Sequence, residues 1–347
     1  MATRSFCSKC AQYVEAGGAC PSCGEATLAV SALASGAAAI PSSAVRRPAS
    51  DQLVRSCFVT EAELDGGRPG ALAAPFSVVR APDGTLLVLD GGPAGVRLLR
   101  LSPQGALLAV IAELASLSQP YGLARGPDGR LYIPEAGADR IAIFSAEGRP
   151  AGELKPTEPH PLAFPKDVDL DPEGRAYIAD SFNNRVIRLD PAGRCDLVLG
   201  TGADLDDDGY LDAGTHPGEL DEPAGVTSGP EGRIYVADTN NHRVQVFTRE
   251  GAPALCLGSE GDDLGRFRFP SDVRVGPTGS IYVADRGNTR IQQFSPRGDL
   301  EAYFVPDASA AAPDQSIGDV DVGPSGEVYV PLPARGVIVR GRIARPA

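Results

Sequence analysis

Short apolar runs broken by glycine turns recur along residues 53–347. Within them hydrophobic and polar positions alternate with the period of two that strands require. The segment 232–251 reads GRIYVADTNNHRVQVFTREG, and 47 residues later 279–298 reads GSIYVADRGNTRIQQFSPRG. Self-similarity at that interval predicts a repeat architecture. Six P-x-G turns, at 82–84, 127–129, 172–174, 230–232, 277–279 and 324–326, index the units. Before the turns lie short apolar runs such as DVDL, GVTS or DVRV, which read as first strands. After the turns come stretches rich in β-branched and aromatic residues (LLVLD, LYIPE, AYIAD, IYVAD, IYVAD, VYVPL), which read as second strands. A third run follows, and in the first five units an S/T/D-x-x-G turn at 102, 145, 190, 248 and 295 leads to a fourth. The units lack helical periodicity, which disfavours helical solenoids of similar repeat length.

A four-stranded antiparallel meander of about 45 residues is one blade of a β-propeller. The predicted fold is all-β: a six-bladed propeller of four-stranded antiparallel blades. An open ring would leave strand edges exposed. The sixth unit ends in VIVRGRIA at 337–344, one strand short, while LVRSCFVTE at 53–61 precedes the first unit. This upstream segment is expected to pair beside 337–344 and close the ring.

The string P-x-G-x-[IV]-Y-V-A-D-x-x-N-x-R-[IV]-x-x-F resembles the signature of the NHL-repeat family, and the resemblance extends over 53–347. It is strongest in units three to five, where Asp180/Arg185, Asp238/Arg243 and Asp285/Arg290 keep their spacing; unit two has Glu135/Arg140. Unit one has Asp90 but Gly95 in the arginine slot, and unit six has Leu332 and Val337. A pair written into blade after blade holds the blade rather than performing chemistry at one place. Each carboxylate is therefore expected to cap its turn and to meet its arginine in a charge-assisted hydrogen bond. His242 occupies a slot that other polar residues hold in sister units and reads as structural.

The chain has 347 residues and a formal charge of −13, from 32 Lys and Arg against 45 Asp and Glu. That balance disfavours nucleic acid and anionic membranes as partners, which need a cationic surplus, and suits basic partners or cations. Lysine occurs only at positions 9, 155 and 166 among abundant Arg, Ala, Gly and Pro, a composition of GC-rich bacterial genomes. The opening MATRSFC has no secretory pattern, and the apolar stretch 26–40 falls short of the ~20 residues of a membrane span. A cytoplasmic location is expected.

Ahead of the repeats stand Cys7-x2-Cys10 and Cys20-x2-Cys23, two hooks separated by nine residues. Such hooks place four thiolates tetrahedrally around a structural Zn2+. The segment resembles a short bacterial zinc ribbon of the FCxxC…CPxCG type. So small a module buries too little apolar surface to fold alone, so the metal would supply its folding free energy. A redox C-x-x-C would leave the second hook unexplained. The expected organisation is a zinc ribbon at 1–23, a flexible Ala/Ser/Pro/Gly-rich linker at 24–52, and the propeller at 53–347. Cys57, Cys195 and Cys256 are expected to be free, buried thiols in a reducing compartment.

Function belongs where one unit departs from the shared pattern. Two same-parity positions on each inner strand face the predicted axis: Ser77, Gly122, Asp167, Gly225, Asp272 and Asp319, then Val79, Ala124, Asp169, Thr227, Arg274 and Asp321. The carboxylates of Asp167, Asp169, Asp272, Asp319 and Asp321 therefore gather near one guanidinium. Two readings stand: a hard-oxygen site for Ca2+, or a solvated polar channel with an Arg274 salt bridge. A 13-residue excess between units three and four contains DLDDDGYLD (204–212), in which Asp204, Asp206 and Asp208 match the start of a calcium loop. Thr215 at its twelfth position cannot supply the bidentate carboxylate, and a plain surface loop is the competing reading.

Six-bladed relatives include enzymes. NHL-like amidating lyases hold zinc through several histidines, whereas His160, His216 and His242 fall in different parts of the repeat. Lactonases of similar shape place Glu and Asn along the axis, and neither occurs in the two inner series. No nucleophile–base constellation, phosphate loop or cofactor motif stands out. RNA-reading NHL domains use a basic face, a poor match to so acidic a chain. The expected role is a non-catalytic protein-binding or scaffold function. Phe76, Tyr121, Phe164, Phe269 and Arg68, in or beside the loops entering the inner strands, are candidate contacts. The alternative is a metal-dependent lyase or lactonase-like hydrolase using the axial carboxylates, and a small-molecule ligand stays open.

Overall fold

The computed structural model describes residues 62–67, 71–92, 95–156, 161–200, 212–306 and 317–342 with their side chains, and the strand backbone at 4–7, 12–15, 28–29, 58–61 and 343. Six four-stranded antiparallel sheets carry the repeats. Blade 1 comprises Pro75–Arg80, Leu86–Gly92, Gly95–Leu101 and Leu107–Glu113. Blade 2 comprises Ala124–Arg125, Leu131–Glu135, Arg140–Phe144 and Pro150–Leu154. Blade 3 is built from Pro165–Leu170, Ala176–Asp180, Arg185–Leu189 and Cys195–Leu199. Blade 4 follows with Gly225–Ser228, Ile234–Asp238, Arg243–Phe247 and Pro253–Leu257. Blade 5 has Pro270–Val275, Ile281–Asp285, Arg290–Phe294 and Leu300–Phe304.

Blade 6 takes Asp321–Val322, Glu327–Leu332 and Val337–Ile343 from the end of the chain. Beside the last of these lies Phe58–Leu64, antiparallel, with Leu64 opposite Ile338. The paired strand runs 58–64 where the sequence suggested 53–61, and residues 53–57 lie outside the described residues.

The recurring glycine has a backbone reason. Gly84, Gly129, Gly174, Gly232, Gly279 and Gly326 have φ of 85, 85, 79, 72, 81 and 81°, the left-handed region where a Cβ is penalised. The turn closes locally, as where the Gly84 amide donates to the Ala81 carbonyl at 2.9 Å.

Because each sheet is sandwiched between two neighbours, both faces of its second strand are covered, and all five positions of both IYVAD strands are buried. Hydrophobic clusters fill the seams between consecutive blades. Tyr235, Phe267 and Val283 pack between blades 4 and 5, and Leu64, Val78, Tyr329 and Ile338 between blades 6 and 1. At roughly 25 cal/mol per Å2 of apolar area buried, these layers are the main favourable term for the ring.

Cys195 and Cys256 are free, as expected, but half-buried rather than buried, because they sit on outermost strands. Burial pushes the Cys195 thiol up to about 11. Cys57 lies outside the described residues. Near the start of the chain Arg4–Cys7, Gln12–Glu15 and Leu28–Ala29 form a three-stranded sheet with Arg4–Cys7 in the middle, so its third strand falls in the expected linker. No helix among the described residues is long and apolar enough to cross a membrane.

Candidate functional site

Each of blades 2 to 5 is stapled to the loop that enters it. Asp180, Asp238 and Asp285 close their second strands and meet Nε of Arg185, Arg243 and Arg290 at 2.7, 2.6 and 2.7 Å. Glu135 meets Arg140 at 2.7 Å. The other carboxylate oxygen of each accepts a backbone amide 17 residues upstream, from Ala163, Asp221, Arg268 and Ser118 in the same order. Arg185, Arg243 and Arg290 also reach carbonyls of the same loops, such as Pro161 for Arg185 at 2.6 Å and Arg266 for Arg290 at 2.9 Å, whereas Arg140 turns to Glu153. The capped amide therefore belongs to the entering loop. It is not in the carboxylate's own turn, which already closes through backbone bonds such as Asn184 N–H to Ser181 O at 3.0 Å. Burial pushes the Asp180 and Asp238 carboxyls up against the pull of their arginines.

Blade 1 has its arginine after all. The hairpin is longer there, with Gly91 opposite Val96 and Gly92 opposite Gly95, so Arg97 stands opposite Asp90 and bonds it. In blade 6 the buried pair Leu332 and Val337 replaces the ion pair. Two buried glutamines that sequence reasoning passed over extend the staple: Gln245 and Gln292 accept the amides of Gly218 and Gly265 at 2.9 and 2.8 Å.

A second device spans the seams. The residue before each arginine, namely Asp139, Asn184, His242 and Thr289, is left-handed, with φ of 51, 48, 53 and 50°. The first three side chains accept the backbone amide of a residue entering the next blade. Phe164 donates to Asp139 at 2.8 Å, Glu222 to Asn184 at 2.9 Å, and Phe269 to Nδ1 of His242 at 3.0 Å. These donors are themselves left-handed, with φ of 53, 43 and 49°. A bulky residue is held there only where its surroundings impose it, at a cost on the order of 1 kcal/mol or more.

The consequence is an aromatic platform on the loop face. Phe164 stacks on Phe182 with centroids 4.4 Å apart, and Tyr121 meets Phe164 edge-on at 5.7 Å. Lys166 Nζ lies 5.9 Å from the centroids of both phenylalanines. Phe269 packs against His242 at 4.4 Å. Tyr121, Phe182 and Phe269 remain 41, 49 and 43 % exposed. Phe182 was absent from the sequence candidates; it follows the second-strand carboxylate, in a slot polar or small elsewhere, and that departure was the available signal. Arg68 lies outside the described residues.

The axial carboxylates come together as the two inner series imply, and they meet amides. Asp167 accepts Val226 N–H at 2.9 Å, Asp169 accepts Ser228 N–H at 2.7 Å, and Asp272 accepts Val320 N–H at 3.0 Å. Asp319 and Asp321 accept the amides of Val78 and Arg80, both at 2.8 Å. Every donor lies on or at the start of the inner strand of the following blade, whose axial edge has no strand to pair with. Arg274 sits among them, 3.0 Å from Asp167, 2.9 Å from Asp272 and 3.8 Å from Asp319. Burial works against its charge, and the three carboxylates outweigh burial and raise it. Burial pushes Asp167 up and Asp272 well up, and brings Asp321 to about 6. Gly225 makes the close approach possible: a Cβ there would lie 2.7 Å from the Cα of Asp272.

Among the described residues there is no group of three or more His, Cys, Asp or Glu side chains placed to hold a metal. Asp204, Asp206, Asp208, His160 and the side chains of Cys7, Cys10, Cys20 and Cys23 lie outside the described residues. The two described histidines serve separate loops, His216 against Glu219 at 2.9 Å and His242 against Phe269.

The NHL repeat pattern matches residues 220–247 and 267–294, in blades 4 and 5. This chain carries NHL repeats. The B-box type zinc finger protein ncl-1 of Caenorhabditis elegans is 55% identical over 38 residues, 11% of this chain and 4% of that protein. The chain thus matches a small part of that relative's length. A gluconolactonase from Xanthomonas campestris superposes on the NHL propeller with a TM-score of 0.58 at 17% identity, covering 79% of this chain and 87% of that one. A streptogramin B lyase gives 0.52 at 14% identity, covering 82% and 98%. At such identities the likeness is one of fold.

Proposed function

We propose that this chain is a non-catalytic binding or scaffold protein that presents the loop face of its propeller to a protein partner. The observation that carries the reading is a set of loop-face aromatics, Tyr121, Phe182 and Phe269 exposed and Phe164 half-buried, in which Phe164 and Phe269 are held by left-handed backbone and by hydrogen bonds across the seams and Phe182 stacks on Phe164. Aromatic anchors on rigid loops supply much of the energy of protein interfaces, and pre-ordering reduces what association costs. The net charge of −13 favours a basic partner.

A metal-dependent lyase or lactonase-like hydrolase is the competing reading, and fold likeness is its support. Against it, the axial carboxylates already accept backbone amides, and Arg274 supplies the cation among them. Residues 1–23 are proposed as a zinc ribbon with Cys7, Cys10, Cys20 and Cys23 around one structural Zn2+, a docking module of a larger assembly. The strand Phe58–Leu64 is proposed as the clasp of the ring, and the cytoplasm as the compartment.

Affinity capture with the full chain, followed by binding of the purified partner to wild type and to Phe182→Ala/Phe269→Ala, tests the platform. The variant should lose the partner by at least ten-fold. Equal binding, or turnover of a lactone by the purified chain, would end this reading.

A further inference from the structure

On the loop face the axial channel opens through a cavity of about 430 Å3. Its floor is the first axial series, where Asp167, Asp272 and Asp319 place three carboxylates around the guanidinium of Arg274. Neutralisation is uneven. Asp167 and Asp272 have Arg274 within 3.0 Å, while Asp319 has it only at 3.8 Å. Of these three, the carboxylate that Arg274 compensates least thus belongs to blade 6 and faces blade 1; one of its oxygens accepts the amide of Val78 while the other accepts that of Val320 at 3.0 Å.

The residue before Val78 is Ser77, which holds in blade 1 the axial position that aspartates hold in blades 3, 5 and 6. Ser77 is 1% exposed, lines the cavity, and its hydroxyl has no hydrogen-bond partner. A buried hydroxyl without a partner is rare, because it forfeits its bonds to water. Beside the carboxylate farthest from Arg274 it offers a further acceptor, and the pair suits a group that is cationic and donates hydrogen bonds. Phe76 and Tyr121 on the wall supply aromatic surface for an apolar stem or a cation. At the rim Lys166 is balanced by Glu222 at 3.2 Å. Arg286 adds positive charge at the mouth, which disfavours a free dication and suits the carbonyls that flank a side chain in a peptide.

We infer that this cavity is a socket for a basic side chain, lysine or arginine, of the protein partner. It rests on the protein-binding reading of the loop face and names the chemistry that reading leaves open. The partner's cation enters along the axis, meets Asp319 and the Ser77 hydroxyl, and its backbone spans the aromatic platform.

The test titrates the full chain with acetyl-Gly-Lys-Gly-amide and acetyl-Gly-Arg-Gly-amide, observed by NMR. The Nε-acetyllysine peptide and putrescine serve as comparisons. The basic peptides should bind at least ten-fold more tightly than the acetylated one. Ser77→Val, which replaces the orphan hydroxyl with a methyl group on a strand, and Asp319→Asn should each weaken binding at least five-fold. If Asp319→Asn does not fold, Ser77→Val decides alone. No binding by wild type, equal binding of the acetylated peptide, unchanged binding by Ser77→Val, or putrescine bound ten-fold more tightly than the lysine peptide each overturns the socket. Partner binding that survives in Ser77→Val but not in Phe182→Ala/Phe269→Ala would remove the socket and leave the platform standing.

Discussion

The amide of Phe269 donates to Nδ1 of His242 at 3.0 Å, across the seam between blades 4 and 5. Since Nδ1 accepts, the neutral ring carries its proton on Nε2. The same slot uses Asn184 toward Glu222 at 2.9 Å one seam earlier, so the position needs an acceptor rather than an imidazole. His242→Ala is expected to destabilise the propeller by about 1–2 kcal/mol, the usual cost of leaving an amide unpaired. His242→Asn should recover part of the loss. Urea denaturation of the three chains checks it, and equal stability of alanine and asparagine variants would dismiss the latch.

Asp285 gathers the amide of Arg268 at 2.8 Å, Nε of Arg290 at 2.7 Å, and the side-chain amides of Asn288 and Gln292 around one buried carboxylate. Removing one partner of a buried pair strands the other, so Asp285→Ala should cost about 3–5 kcal/mol. Blade 6 manages the same position with buried Leu332 and Val337. Asp285→Leu/Arg290→Val should therefore be less damaging than Asp285→Ala, though short of wild type because loop groups lose their partners. Denaturant midpoints at matched slopes give the comparison.

Burial lifts Asp321 from 3.8 to about 6, opposed by the Arg80 amide and by Arg274 and reinforced by Asp319. In the window between those values the folded state holds a proton that the unfolded chain has released. Stability from this group is thus fully present at the acid end and lost as pH rises through about 6. Asp167, Asp180, Asp238 and Asp272 shift the same way and contribute in both chains. Asp321→Asn keeps an acceptor for Arg80 and should flatten the wild-type slope over this window by on the order of 1–2 kcal/mol, allowing for partial solvation. Parallel pH–stability profiles would contradict it.

Elemental analysis of the purified chain is expected to return one zinc. Cys20→Ser/Cys23→Ser should abolish it while the melting of the propeller stays within a degree or two, because in the proposed ribbon the metal would supply folding energy to that module alone. A second tightly held metal would reopen the axial carboxylates as its ligands.

The repeat units were legible because their signals are local. A turn glycine must adopt positive φ, as Gly84 does at 85°, and a second strand covered on both faces is apolar up to the carboxylate that closes it, as in Ile234–Asp238. Arg97 was hidden because an insertion within the hairpin moved it two places past the slot that sister units use. The seam latches were hidden for a different reason: Asp139, Asn184 and His242 bond backbone amides 25 to 38 residues ahead, and an amide has no letter in the sequence. The axial acids could be placed in one column by parity. That the column's main work is capping unpaired amides of the next blade follows only from the distance between inner strands.

Leu64 pairs with Ile338, is buried to 1% exposure, and packs with Leu72, Val78 and Leu86 from the start of the repeat region and Tyr329 and Ile338 from its end. If Phe58–Leu64 closes the ring, this one side chain ties both ends of the chain's propeller together, and its truncation acts on the whole fold. Leu64→Ala is expected to cost about 2–5 kcal/mol through lost burial and the cavity left behind. Exposed Leu108 on the outer strand of blade 1 is the control, and its alanine variant should change stability by less than ~0.5 kcal/mol. Hydrogen exchange adds a second reading: in Leu64→Ala the amides of Val337–Ile343 should lose protection before those of Ile234–Asp238. Wild-type stability together with unchanged protection at both strands would place the closure elsewhere.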